Sequence, residues 1–201
     1  MTAVIHHPLF RRHPQKHDRR DPVDDILAEH YRQRLLVNEL SDLANDLDGP
    51  YARGTARLIL SYLFEDLSAH EDFEDKHLAA MLKRRCRLPD NLDSLLAIMM
   101  WDHFVIRCYG HKVRLGLADI MEGRQMRDVF QFRHDVERFS VRLKGHIVWE
   151  NSTIVPLTRK RLNQTDLREL AELATDAKRY DAWPALQTES PYMSLTTGHP
   201  A

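Results

Sequence analysis

The sequence predicts an all-α protein, an up-down-up-down four-helix bundle with a short fifth helix at its C-terminal end. Three observations carry this. Only 7 glycines interrupt 201 residues. Apolar residues recur at helical rather than alternating spacing over long stretches. Strong breakers fall at three separated places, "DGP" (48–50), "LPDN" (88–91) and "EGRQ" (122–125), leaving four long segments joined by short connections, the arrangement of an antiparallel bundle.

Residues 1–21 are polar, contain Pro8 and Pro14, and read as a flexible arm. The first helix starts at Asp21-Pro22, an N-cap followed by proline at the first helical position. Its apolar stripe runs through Ile26, Val37, Leu40 and Ala44 to about Leu47. A second helix is expected from about 52 to 87, with Leu63, Leu67 and Met81 on one stripe. Asp90 or Asn91 is placed to cap a third helix that reaches about 122. The fourth begins near 126 and carries Phe139, Leu143 and Leu157, with Pro156 near its end. "NQTDLRELAELA" opens a short capped fifth helix over 163–180, and 181–201 reads as a loose tail. The bundle proper is therefore 22–162.

Composition bounds the function. Hydrophobic content of 43 % with 29 % charged residues is that of an ordinary globular chain. A net charge of -1 gives no bulk attraction to nucleic acid or an acidic membrane surface. No apolar run approaches the roughly 20 residues of a membrane span, and the N-terminus lacks the apolar core of a secretory signal. Cys86 and Cys108 are too few for a disulfide framework. A cytoplasmic protein with reduced thiols is expected. No nucleophile triad or phosphate-binding glycine loop is present.

The 12 histidines are the oddity. On the second helix the inward stripe reads Leu63, Leu67, His70, Glu74, His77, Met81; on the fourth it reads Phe139, Leu143, His146, Glu150, Leu157. Each helix thus sets a His and a Glu four residues later on its apolar face, about 6 Å apart along the axis. Burying imidazole beside carboxylate needs a compensating partner, and a metal supplies one. Height in the bundle tests the idea separately, since antiparallel neighbours come level at equal distances from their shared turn. By that count His30, His70, His103 and His146 form one layer. His30 shares its face with Ile26 and Val37, and His103 with Met100 and Ile106. The candidate metal set is therefore His30, His70, Glu74, His103, His146 and Glu150. A hydrogen-bonded histidine without metal is the commoner fate of any single buried one, but it explains two repeated pairs at one height poorly. A ferritin-like carboxylate site needs two ExxH pairs, and only Glu74-x-x-His77 supplies one.

With "ILAEHYRQRLL", "LSAHEDFEDKHLAAML", "MMWDHFVIRC" and "LKGHIVWENSTIVPL", the chain resembles the hemerythrin-like (HHE) domain family over about 22–162. That family has His on helix one, HxxxE on two, His on three and HxxxE on four. The resemblance implies a hemerythrin-like bundle with two non-haem iron ions, a bridging oxo or hydroxo group, bridging carboxylates at Glu74 and Glu150, and histidine ligands at the other four positions. It also implies O2, NO or peroxide as small ligand. Oxygen-carrying members have a second His one turn along helix three, and here position 107 is Arg and 99 is Met. The four-His, two-Glu set looks more like the iron-centre repair and iron-sensing members. Glu71 resembles an acidic residue of the iron sensor, or is a solvent-facing glutamate. His77 is either an outer group beneath Glu74 or a polar closure of the bundle, and His111 is an outer candidate that fits the layer less well. Asp72, Asp75 and Lys76 read as the solvated face. Three functions stay open: a di-iron protein that binds O2 or NO or handles iron; a di-iron enzyme reducing peroxide or NO with a redox partner; and a metal-free bundle acting through protein contacts.

Overall fold

Helix α1 (Pro22–Asn45) starts where Asp21 and Pro22 direct it: the Asp21 carboxylate accepts the Val23 amide at 2.9 Å, and proline's missing N–H is harmless in the first turn. The computed structural model describes residues 21–180, and side chains through 174. The arm, apart from Asp21, and the tail lie outside the described residues. All described secondary structure is helical.

The second long segment is not one rod. It divides into α2 (Ala52–Phe64), α3 (Asp66–Phe73), a π turn (Glu74–Leu78) and α4 (Ala79–Arg85). At the break after Phe64, the Leu63 carbonyl receives the Ser68 hydroxyl at 3.1 Å and Arg114 Nη2 at 2.5 Å. The π turn holds an extra residue in a wide helical turn, a device frequent at functional sites. It begins on Glu74.

A 3-10 turn (Leu88–Asp90) leads into α5 (Leu92–Glu122). Asn91, one of the two residues expected to cap α5, is its N-cap residue, but its side chain makes no capping bond to the helix amides. Asp90 instead accepts the Arg87 amide at 2.8 Å and Arg161 at 2.5 Å. Asn91 sits in the left-handed region at φ 50° and accepts the Ser94 hydroxyl at 3.0 Å. Gly123, at φ 69°, ends α5. Helix α6 (Val129–Ser152) starts three residues later than expected, where the Asp128 carboxylate accepts the Gln131 amide at 2.8 Å. It also ends early. Pro156 has no N–H for the Ser152 carbonyl, and the chain turns at Thr153 into α7 (Ile154–Arg161). Leu157, expected on the inward stripe of helix four, therefore sits half-buried on α7. Helix α8 (Gln164–Tyr180) opens with a reciprocal cap: Asn163 Oδ1 accepts the Thr165 and Asp166 amides, and Asp166 accepts the Asn163 amide.

Contacts run α1–α2, α2–α5, α5–α6 and α6–α1, closing an up-down-up-down ring, and α8 packs on α1, α3 and the π turn. Two apolar clusters fill it. One unites the C-terminal half of α1, α2, the C-terminal half of α5 and most of α6, including Leu40, Tyr62, Val113 and Phe139. The other unites the start of α1, the π turn and α4, the start of α5, and α7 and α8, including Val23, Leu82, Met99 and Ile154. Between them the inward positions are polar. Among the described residues no helix is long and apolar enough to cross a membrane.

Candidate metal centre

Helix α1 contributes His30, α3 His70, the π turn Glu74, α5 His103, and α6 both His146 and Glu150. All of these are buried, from 0 % exposed at His103 to 9 % at His70. Their polar ends converge. His30 Nε2 lies 3.0 Å from Glu150 Oε2 and 3.8 Å from Glu74 Oε1. His70 Nε2 lies 3.3 Å from Glu74 Oε2. His103 Nε2 is 3.5 Å from Glu74 Oε2 and 3.1 Å from His146 Nε2, which is 3.2 Å from Glu150 Oε2. The ligand-type atoms form two quartets, each within 4.8 Å: His30, His70, Glu74 and Glu150, and Glu74, His103, His146 and Glu150. Both carboxylates belong to both quartets. The layer expected from turn spacing is therefore present, and both i, i+4 pairs point into it.

These atoms lack partners of their own. His30 Nε2, His70 Nε2 and all four oxygens of Glu74 and Glu150 are buried without a hydrogen bond in acceptable geometry. Leaving one such group unmet costs about 1–3 kcal/mol, so a cluster of them is a poor apolar core. A cation between the quartets would satisfy them together, and imidazole with carboxylate is a donor set suited to a first-row transition metal. The residues fit a metal.

The family model of the hemerythrin HHE cation-binding domain matches residues 21–158. The chain belongs to this family. Comparison with curated proteins and with solved structures gives no match.

Around the centre of this HHE domain, two outward ring nitrogens are anchored. His30 Nδ1–H donates to Asn151 Oδ1 at 2.8 Å, and His103 Nδ1–H to Asp75 Oδ1 at 2.8 Å. Each leaves Nε2 free to face inward, the usual division of labour in a ligating imidazole. His146 Nδ1 has no partner; Asp102 Oδ2 is 3.7 Å away, and Asp102 is held by Arg142.

Burial and then the Glu150 charge push the Glu74 carboxyl well above its ordinary range. Burial opposes ionisation of Glu150 too, but His146 and His30 beside it hold its carboxyl below the ordinary range. The two titrate as a pair in which Glu74 keeps the proton. Burial, then His30, lowers His70, so that imidazole stays neutral. Burial opposes the charge on His146 as well, but the Glu150 carboxylate beside it holds that imidazole above its ordinary range.

The remaining candidates lie around the quartets. Glu71 is not solvent-facing: it is 2 % exposed, outside both quartets, with Oε2 2.6 Å from Arg107 Nε. His77 is half-buried with its ring 5.8 Å from Phe73, and it too lies outside the quartets. His111 is exposed on α5. Met100 is 50 % exposed, and Met99 takes the buried place one residue earlier. Asp75 does not belong to the solvated face, because the π turn brings it onto α5. Sequence reasoning also missed Asn151 and Gln33; the Gln33 amide is buried with both ends unpartnered. Adjacency to Glu150 was the one available hint for Asn151.

Proposed function

We propose that this HHE domain holds two non-haem iron ions through His30, His70, Glu74, His103, His146 and Glu150, and uses them to bind O2 or NO or to sense or handle iron. One observation carries the reading: two complete ligand quartets share both carboxylates. Each quartet offers an ion two imidazoles and two carboxylate oxygens, so Glu74 and Glu150 serve both ions. Donor chemistry suits iron, with zinc and manganese as competitors. When bound, a ferrous pair would supply two electrons and the coordination positions that four protein ligands per ion leave open for a small ligand. The chain's own residues do the rest. Asn151 and Asp75 fix two rings, and Ile106, Phe139 and Leu143, all 0 % exposed, keep water from the layer.

Metal analysis of freshly isolated protein, with optical spectra before and after O2 or azide, tests the proposal. Two irons per chain and ligand-dependent charge-transfer bands are expected. Protein without metal would overturn it, and His146→Ala that leaves metal content and stability unchanged would favour a metal-free interaction bundle.

The missing second histidine of helix three favours sensing or turnover over carriage. Neither position one turn from His103 carries one: Met99 is buried and apolar, and the Arg107 guanidinium is tied to Glu71, Asp72 and Asp75. Long-lived, fully reversible O2 binding by the purified protein would refute that preference. Turnover of peroxide or NO under a reductant, rather than stoichiometric binding, would identify an enzyme with a redox partner.

A further inference from the structure

The two quartets are not equivalent in what stands behind them. In the first, His30 is backed by a neutral amide oxygen, Asn151 Oδ1 at 2.8 Å. In the second, His103 is backed by a carboxylate, Asp75 Oδ1 at the same 2.8 Å. Consecutive residues of the π turn thus meet one ring from two sides: Glu74 Oε2 lies 3.5 Å from Nε2, and Asp75 lies against Nδ1–H. Asp75 is itself fixed. Its Oδ2 accepts Arg107 Nη2 at 3.2 Å, and the same guanidinium reaches Glu71 Oε2 at 2.6 Å and Asp72 Oδ1 at 3.4 Å. Arg107 follows His103 by one turn on α5, so one helix carries both the ring and the residue that holds its anchor.

A carboxylate accepting from the outer nitrogen draws positive charge onto the ring and makes the inner nitrogen a stronger donor to a cation; a neutral amide does so less. We infer that Asp75, held in place by Arg107, makes the His103–His146 half of the centre the tighter of its two metal positions, filled first. This rests on the two-ion reading above. Arg107 acts here through Asp75 and is a positioning residue. Its own charge keeps Asp75 from swinging toward solvent, to which that side chain is 15 % exposed.

The test is titration of metal-free full-length protein with Co2+, whose visible bands report each ion's ligand field. Wild type should take up two ions in resolved steps. Asp75→Asn should weaken the tighter step by about 10–100-fold, shift its bands and leave the weaker step in place. Asn151→Ala should act on the weaker step instead. Arg107→Gln should weaken the tighter step in the same direction, and Arg107→Lys should restore much of it, which a merely structural role would not do. Arg107, 43 % exposed, also gives a second route should Asp75→Asn fail to fold. Two wild-type steps that Asp75→Asn and Arg107→Gln leave untouched, or weaken equally, overturn this inference alone. Wild-type protein that binds no Co2+ overturns the two-ion reading and the inference with it.

Discussion

Gly116→Ala should destabilise the protein even though alanine is the better helix former. Gly116 lies inside α5, where replacing glycine ordinarily gains about 0.8–1 kcal/mol. A Cβ there would stand 2.2 Å from Phe132 Cδ2 and 2.7 Å from Cε2, against an optimal carbon separation of about 3.5–4 Å. The ring would have to retreat by more than about 1 Å, and Phe132 is 5 % exposed in the packed α5–α6 contact. Overpacking of this kind costs about 1–3 kcal/mol, so the net loss is about 1 kcal/mol. The same change elsewhere has the opposite sign. At Gly145 a Cβ meets nothing within 4 Å, and at Gly110 its nearest neighbour is Phe139 Cε2 at 3.5 Å. Both variants should gain about 0.5–1 kcal/mol. Urea unfolding at unchanged m-value reads all three, and Phe132→Leu should relieve Gly116→Ala in a double-mutant cycle. Gly116→Ala as stable as Gly145→Ala would refute the close approach of α5 to α6 that levels His103 with His146.

Glu74→Leu should abolish metal binding yet stabilise the metal-free fold by about 1–3 kcal/mol, since it removes a buried carboxyl with no partner; calorimetry with and without metal reads both effects, and a destabilised metal-free variant would count against the account. The pH dependence has a definite sign. Glu74 is raised above its ordinary 4.5, so its contribution is fully present below that pH and is lost as pH rises through the folded value. His70 is lowered from its ordinary 6.5, so its contribution is present above 6.5 and lost as pH falls below it. The stability gap between metal-free wild type and Glu74→Leu should therefore widen as pH rises above 4.5; a gap that stays constant would show that Glu74 is not the group responsible. Asp166→Ala should loosen α8 by about 1 kcal/mol through its cap and free Arg85, its partner at 2.8 Å. Protease cleavage within α8 at rates equal to wild type would argue against that.

Most of the layer was legible because it repeats. His70 with Glu74 and His146 with Glu150 show one spacing on two helices, and turns at 48–50, 88–91 and 123 set their height without any knowledge of contacts. What stayed hidden depends on partners distant in sequence. The break after Phe64 depends on Arg114 taking the Leu63 carbonyl from another helix. Nothing local in "EDKHL" marks a π turn, and without one Asp75 falls on the solvated face. Glu71 stayed open between an outer acidic group and a solvent-facing one because its counter-ion, Arg107, lies on α5. Met99 and Met100 differ by one step of helical phase, finer than a stripe drawn through His103 and Ile106 resolves. Pro156 was visible as a terminator, but its effect is displaced four residues back, to the carbonyl it has no N–H to meet.

The polar layer separates two apolar clusters that share helices but little side-chain packing. Without a bound ion the layer adds little attraction across that seam, so the cluster built on α4, α7 and α8 can open as its own cooperative unit. Ions coordinated from α1, α3, α5 and α6 would act as cross-links at the waist of the molecule. Amide hydrogen exchange should then show two protection tiers in metal-free protein and one after loading, with folding cooperativity itself reporting occupancy.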